Sequence, residues 1–414
     1  MSTFSIPVSG LLANEEALSV IGNNLANMNT TGYKGESPQF SDLFSQQLGT
    51  DGAGDPVQVG LGAQLTSTAA DFSQGTIQNT GVPTNVAIQG DGFLEIQNGG
   101  VAMFTRDGNL SINSQGYLVT QDGSDVMGYN AKNGVINPNG AVAPLLINQG
   151  QSAPPQATGN VQITMNLDAS AAIGSAFSTA IGVYDSLGTS HVLSYNFSKT
   201  AANTWSYQIT IPAADVGATG NPVVLSSGTL NFDGNGILTS PSSNVTGITA
   251  KGLADGANNL SFNWQLFGTN GSPAITQVAG PSEASSSQQD GFARGTLASF
   301  SIGPDGTIEG SFTNGTTAAL GQIALATFPN SQGLLRVGTN NFLTTLASGL
   351  PTVGTPGTGG RGTIEGGGLE SSNVDISSQF AQLIVAQTGY QASARAFNSL
   401  DQVVQTAISL VPLP

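Results

Sequence analysis

The sequence predicts a mainly β protein with a long α-helix at each end. Its expected architecture is a pair of coiled-coil-like N- and C-terminal helices, a β domain built from two chain segments, and a second β domain inserted within it. Apolar residues near both ends recur at seven-residue steps, and the long middle alternates between apolar and polar residues around Asp-Gly and Asn-Gly turns. Glycine-rich stretches separate the two patterns.

At the N-terminal end Phe4, Leu11, Leu18 and Leu25 form a strict seven-residue row, with Ile21 and Met28 on the adjoining row. Pro7 is tolerated only in a first helical turn, so the helix should begin near it. The polar run Asn27 to Gly32 should stop it after about 22 residues, roughly 33 Å. Residues 31–75 read as a linker segment, glycine-rich from Gly49 to Gly62. Segments 76–147 and 285–351 read as the two-segment β domain, with turn signals at Asp91-Gly92, Asp107-Gly108, Asp122-Gly123, Asp305-Gly306 and Asn314-Gly315. Residues 148–284 read as the inserted outer β domain. Its entry is the Pro/Gln/Ala/Ser stretch Asn148 to Gly159, and a second break falls at Pro281 to Asp290. Inside it, Ile181 to Phe197 reads as two alternating strands about a turn, and Trp205 to Ile211 continues the pattern.

Residues 352–368 read as a Gly-rich linker leading to the second helix. There Ile376, Leu383, Tyr390, Phe397 and Val404 are joined by four seven-residue steps, bordered by Phe380, Ala394 and Ile408. Asn373 or Ser371 could cap its start, and Val374 to Leu410 would span about 55 Å. Residues 1–30 and 369–414 together make the expected helical core domain. Its charges are few: Glu15 and Glu16 up to Thr30, then Asp375, Arg395 and Asp401 from Val374 onward. Helices so poor in charge suit being surrounded by other helices. Phe4, Leu11, Leu18, Ile21, Leu25, Ile376, Phe380, Leu383, Tyr390, Phe397 and Val404 are therefore the candidate residues for packing against other helices, and the candidate polymerisation residues where those helices belong to further copies.

Composition removes several function classes. Only 8% of the 414 residues are charged, against roughly 25% in an average soluble protein. The net charge of -16 and the lack of a basic block argue against nucleic acid and anionic membranes as partners. There is no cysteine, which excludes disulfides, thiolate metal sites and a cysteine nucleophile. The first basic residue is Lys34 and no apolar run approaches 18 residues, so neither a conventional signal peptide nor membrane insertion is expected.

Nothing in the sequence requires an enzyme. His191 is the only histidine, and its place just after a hairpin turn reads as an exposed strand residue. A calcium-loop register from Asn231 through Asp233, Asn235 and Gly236 ends on Ser242 where a bidentate Glu is needed, so a plain turn is expected. Asp107, Asp233 and Asp305 each precede a turn glycine, and Gly366-Gly367-Gly368 reads as flexible linker, not as a phosphate loop. No catalytic residue, cofactor or metal is expected.

Two terminal motifs carry a family resemblance. Ser9-Gly-Leu-Leu with Ile21-Gly-Asn-Asn-Leu-Ala-Asn-Met-Asn-Thr-Thr-Gly-Tyr-Lys34 resembles the N-terminal signature of bacterial flagellar rod and hook proteins. Leu369-Glu-Ser-Ser-Asn-Val-Asp-Ile376, with Ile384-Val-Ala-Gln-Thr-Gly-Tyr-Gln-Ala392 and Phe397, resembles their C-terminal signature. Asn23, Asn24, Ala26, Asn27, Gly32, Tyr33 and Lys34, and Leu369, Glu370, Ser372, Asn373, Val374 and Asp375, are thus the family-signature positions. Val183 to Gly188, Asn231 to Ile237 and Leu320 to Asn330 resemble the hook members in particular. The resemblance implies a self-assembling subunit of a curved helical tube, acting as a universal joint that passes torque from the flagellar rod to the filament. It implies the rod, hook cap and hook-filament junction proteins as partners, export through the flagellar type III apparatus without cleavage, and an extracellular location in the hook. A distal rod or other axial protein is the nearest alternative. A secreted β-rich adhesin or carbohydrate-binding module is the alternative of another class, and it leaves the paired end helices unexplained.

Overall fold

In the strand Ser190–Ala201 the inward side chains are His191, Leu193, Tyr195, Phe197 and Lys199, and every second residue faces out. The same alternation runs through Thr204–Ile211, which buries Trp205, Tyr207, Ile209 and Ile211. A computed structural model describes residues 4–409 apart from Gln149, Gln151 and Thr269. Met1 to Thr3 and Leu410 to Pro414 of the expected helical core domain lie outside the described residues. The chain is mainly β with one helix near each end, α1 (Ser5–Ala26) and α2 (Ile376–Ser409). It divides into two units: Met1–Gln149, Ser299–Gly310 and Thr317–Pro414 make one, Gly150–Ala298 and Ser311–Thr316 the other.

The second unit holds two five-stranded sheets. One is an antiparallel meander of Ala176–Tyr184, Ser190–Ala201, Thr204–Ile211, Val223–Phe232 and Leu238–Ser240. The other centres on Asn160–Asn166, which pairs in parallel with Leu260–Gln265 and Ile275–Thr276 and antiparallel with Glu283–Gln289. Both sheets contribute to one core, where the Trp264 ring lies 5.2 Å from Tyr195 and 5.0 Å from Tyr207. At Asp233-Gly234 the Asp233 carboxylate accepts the amides of Asn235 and Ile237, the Asx-turn geometry that closes this hairpin.

The first unit is built on a sheet in which Thr317–Ile323, Asp125–Asn130, Phe93–Asn98, Val101–Thr105, Asn341–Leu343 and Leu335–Gly338 lie side by side. Phe93, Phe104 and Phe342 pack on one of its faces with Phe72 and Phe328, mostly edge to face.

Three stretches read as linkers or a break contain strands. Within 31–75, Glu36–Asp42 pairs with Ala63–Ala70 and Gln46–Thr50 with Pro56–Val59. The inner hairpin is exposed on both faces, so no apolar alternation marks it. Within 352–368, Thr352–Gly354 pairs with Leu325–Thr327, and Thr363–Gly366 pairs with Val86–Gln89 and buries Ile364. The two strands there have only three and four residues, too short for an alternation to stand out among the glycines around them. The expected break at Pro281 to Asp290 contains Glu283–Gln289, a polar edge strand with only Ala284 packed on the core. Unit boundaries accordingly fall at Gly150 and Ala298, against the expected 148 and 284.

His191 also departs from expectation. It is buried, because its parity on the strand is that of Leu193, Tyr195 and Phe197.

The protein's two tryptophans, Trp205 and Trp264, both sit in the core of the second unit. Leu193→Ala should therefore lower the midpoint of the tryptophan-fluorescence transition in urea, by about 2–5 kcal/mol of stability. A midpoint shift equivalent to less than about 0.5 kcal/mol would show that Leu193 is not a core residue.

Candidate functional site

α1 and α2 run antiparallel along a seam of small and polar residues. Phe4 meets Phe397 edge to face at 5.5 Å, Ala17 and Ile21 pack on Ala386 and Leu383, and Asn24 donates to Gln379 at 3.2 Å. Two glycines set the approach. A Cβ on Gly10 would lie 2.8 Å from Ser393 Oγ, and one on Gly389 would lie 2.5 Å from Asn14 Oδ1. The seam thus follows Gly10, Asn14, Ala17, Ile21 and Asn24, alternating steps of four and three. The leucine row Leu11, Leu18, Leu25 sits one residue further round the helix and is only half-buried.

Among the candidate polymerisation residues, the structure brings Phe4 to Phe397 and gathers Leu18, Ile21 and Leu383. Leu11 and Leu25 are half-buried, and Ile376, Phe380, Tyr390 and Val404 remain exposed. Ile384, Val385 and Val403, which the seven-residue rows do not select, and Ile408, which borders them, are between 61% and 71% exposed. α2 has 34 residues and α1 has 22, so α2 outruns its partner by about 18 Å. Its last eight described residues, 402–409, are all exposed.

The signature residues lie where both helices meet the sheet, and they bind each other. Lys34 and Glu370 are fully buried, with Nζ 2.6 Å from Oε1. Lys34 also donates to the Ser73 carbonyl at 2.7 Å, and Glu370 accepts the Gly75 amide at 2.9 Å and faces Arg106 Nη1 at 3.5 Å. Pairing of Gly368–Glu370 with Ile77–Asn79 delivers Glu370 to this place. Burial pulls the Lys34 ammonium below its ordinary value, and the bond to Glu370 offsets only part of that. Burial likewise lowers Arg106, against the pull of Glu370. Gly32 donates to the Glu370 carbonyl at 2.7 Å; its φ of +66° and the Arg106 backbone, 2.7 Å from where a Cβ would be, leave room for glycine alone.

Asn24 and Asn373 act as side-chain staples. Asn24 is buried, donates to the Glu36 carbonyl at 2.7 Å and accepts from the Glu36 amide at 2.9 Å. Asn373 accepts the Gly35 amide at 2.8 Å and donates to the Asp71 carbonyl at 2.8 Å. It therefore does not cap α2; Asp375 does, accepting the Ser378 amide at 2.7 Å. Ser371, the other expected cap, instead donates its amide to the Thr76 carbonyl. α2 starts at Ile376, not Val374. Of the remaining signature positions, Asn23 donates to the Tyr33 hydroxyl at 3.3 Å and Asn27 back-bonds to the Asn23 carbonyl at 2.9 Å. Ser372 accepts the Val374 amide at 3.3 Å, Leu369 pairs with Gln78, and Ala26 is exposed.

Sequence reasoning missed Arg106 and Arg336. Arg336 bonds the Lys34 carbonyl, pairs with Glu36 at 3.0 Å and lies over the rings of Tyr33 at 5.1 Å and Phe342 at 5.5 Å. The available signal was scarcity, since the chain has only nine basic residues.

Four family models match the chain. One described as flagella basal body rod protein matches residues 5–34, and one described as flagellar basal body rod FlgEFG protein C-terminal matches 365–410. The flagellar hook protein FlgE/F/G D1 domain matches 87–172, and the flagellar basal body protein FlaE D2 domain 166–292. Flagellar hook protein FlgE of Treponema pallidum is 35% identical over 454 residues, covering 97% of this chain and 98% of its own. That of Salmonella typhimurium is 34% identical over 423 residues, covering 99% and 100%. Among solved structures, Helicobacter pylori flagellar hook protein FlgE2 covers 70% of this chain and 99% of its own, at 15% identity and a TM-score of 0.49.

Glu370→Gln should destabilise the first unit by about 3–5 kcal/mol, because it leaves the Lys34 ammonium buried without its counter-charge. The double variant Lys34→Met, Glu370→Gln should recover much of that loss in urea unfolding followed by circular dichroism. Losses that simply add would show that the two charges do not depend on each other.

Proposed function

The chain belongs to the flagellar hook protein family, and we propose that α1 and α2 are the surface through which its copies stack into the hook tube. It is a structural subunit of the bacterial flagellar hook. The observation that carries the helical assignment is the number of large apolar residues that α2 leaves exposed. Phe380, Ile384, Val385, Tyr390, Val403 and Ile408 are exposed on a helix whose only charges are Arg395 and Asp401. At 3.6 residues per turn these apolar residues fall on several sides of the helix, and a helix apolar on several sides suits being buried among others. One α1 covers only the small-residue seam; neighbouring copies would cover the rest in a coiled-coil-like packing and offset the entropy of ordering so long a helix.

Torque then passes through the inner helical tube, while the β units slide against neighbours as the tube bends. On this reading the second unit, Gly150–Ala298 with Ser311–Thr316, is the inserted domain. The partners are further copies of the chain, the rod, the hook cap, the hook-filament junction proteins and the flagellar type III export apparatus. Its place is outside the cell, in the hook. No helix among the described residues is long and apolar enough to cross a membrane. Relatives matching over nearly the whole chain favour hook over distal rod, although the rod models also cover the ends.

Val385→Asp is the direct test. Val385 is 71% exposed, so a carboxylate there should leave the monomer's stability within about 0.5 kcal/mol. In the tube it would be unpaired among apolar neighbours, at a cost of several kcal/mol. Electron microscopy of concentrated protein should show tubes for the unaltered chain and none for the variant, and cells exporting the variant should be immotile. Normal tubes from Val385→Asp would remove the Val385 surface of α2 from the interface. Leu383→Asp and Phe397→Asp should also block assembly, but with loss of the α1–α2 seam already in the monomer.

A further inference from the structure

His191 is held between carboxylates from separate segments of the second unit. Its Nε2 lies 3.0 Å from Asp185 Oδ2 and its Nδ1 lies 3.1 Å from Asp215 Oδ2. Asp185 is fully buried, His191 nearly so, and Asp215 is 28% exposed. A neutral imidazole has one N–H and can satisfy only one of two carboxylates; the other ring nitrogen would point its lone pair at a negative oxygen. Both contacts are satisfied together only by the imidazolium. Asp255 adds a third carboxylate, with oxygen and nitrogen atoms of Asp185, His191 and Asp255 within 4.8 Å of one another. One positive ring is thus the charge that lets three carboxylates converge.

The convergence joins four pieces of chain. Asp185 Oδ1 accepts the amides of Leu187 and Thr189, closing the turn ahead of the His191 strand. Asp215 lies in the 3-10 turn Ala213–Val216, whose Asp215 carbonyl accepts the Ala254 amide at 2.9 Å. Asp255 lies in the loop between the strands Val245–Ala250 and Leu260–Gln265, where Asn258 donates its amide to Ser186 Oγ at 3.0 Å.

We infer that His191, Asp185, Asp215 and Asp255 form a proton-dependent latch that holds the 3-10 turn 213–216 and the loop 251–258 against the 185–189 turn, and that releases both as pH rises. No catalytic role and no part in subunit stacking is required for it. Burial alone would lower the imidazole, but the bonds to Asp185 and Asp215 outweigh burial and hold it above its ordinary 6.5. For Asp185, burial opposes ionisation, yet the contact with Asp255 and the bonds donated by the His191 ring and the Thr189 and Leu187 amides hold its carboxyl low, at about 2. The raised imidazole contributes stability fully below its unfolded value and loses it as pH rises through the folded value. The depressed Asp185 loses its contribution only in strong acid, so in the neutral range the latch opens on the alkaline side.

The test uses the full chain in EDTA. With one histidine in the protein, its imidazole carbon-proton NMR signal is unambiguous. Its midpoint should lie above 6.5, and Asp215→Asn, which spares the 185–189 turn, should lower it. Hydrogen exchange corrected for intrinsic rate should lose several-fold protection in 212–218 and 251–258 between about pH 6 and pH 9. His191→Gln should abolish that pH dependence. If His191→Gln fails to fold, as reported by Trp205 and Trp264, Asp215→Asn decides by moving the exchange midpoint with the NMR midpoint. A His191 midpoint at or below 6.5, a midpoint unmoved by Asp215→Asn, or equal pH dependence with and without the imidazole would each overturn the inference.

Discussion

The buried pair Lys34–Glu370 is the constraint on which the arrangement of the chain ends depends. Two charges removed from water are tolerated only when each finds its counter-charge and enough hydrogen bonds, and these two residues are 336 positions apart in sequence. Meeting that condition forces the segment after α1 and the segment before α2 into one place. The Asn24 and Asn373 staples then fix the directions in which the helices leave. Antiparallel pairing along Gly10, Ala17, Gly389 and Ala386 is a consequence: once anchored at one end, the helices can approach closely wherever side chains are small.

A division of labour follows. The second unit is self-sufficient, with a core drawn from two sheets and both tryptophans inside it. The helix pair is the opposite, burying Ala17, Ile21 and Ala386 while larger apolar residues of α2 stay in water. Helices longer than their partners and nearly free of charge gain most by packing against further copies. The charged anchor supplies what apolar packing does not, a fixed origin for the helices, and in a part that carries torque that origin must not slip.

Much of the architecture was legible because it rests on periodicity. The alternation from Ile181 to Phe197 gives two paired strands, and the seven-residue rows give two helices of nearly the observed length. What periodicity does not encode was missed. The helix seam is built from Gly10, Asn14 and Gly389, which an apolar row ignores, so the leucine row falls one residue off it. The strands in 31–75, 283–289 and 363–366 are exposed, polar or glycine-rich and offer little or no alternation. The signature positions were visible as a pattern, but the Lys34–Glu370–Arg106 contacts were not, because nothing local pairs residues so distant. His191 was recoverable: its parity with Leu193, Tyr195 and Phe197 places it inside, although position after a turn suggested otherwise.

Amide hydrogen exchange on the full chain, measured as monomer and as assembled tubes, tests most directly that the helices are completed by other copies. Residues 5–26 and 376–409 should exchange far more slowly in tubes than in the monomer, with the largest gain around Ile384, Val385 and Val403. The core strands 190–201 and 204–211 should be protected equally in both. Helices as protected in the monomer as in the tube would contradict the account, because their apolar faces would then need no neighbour.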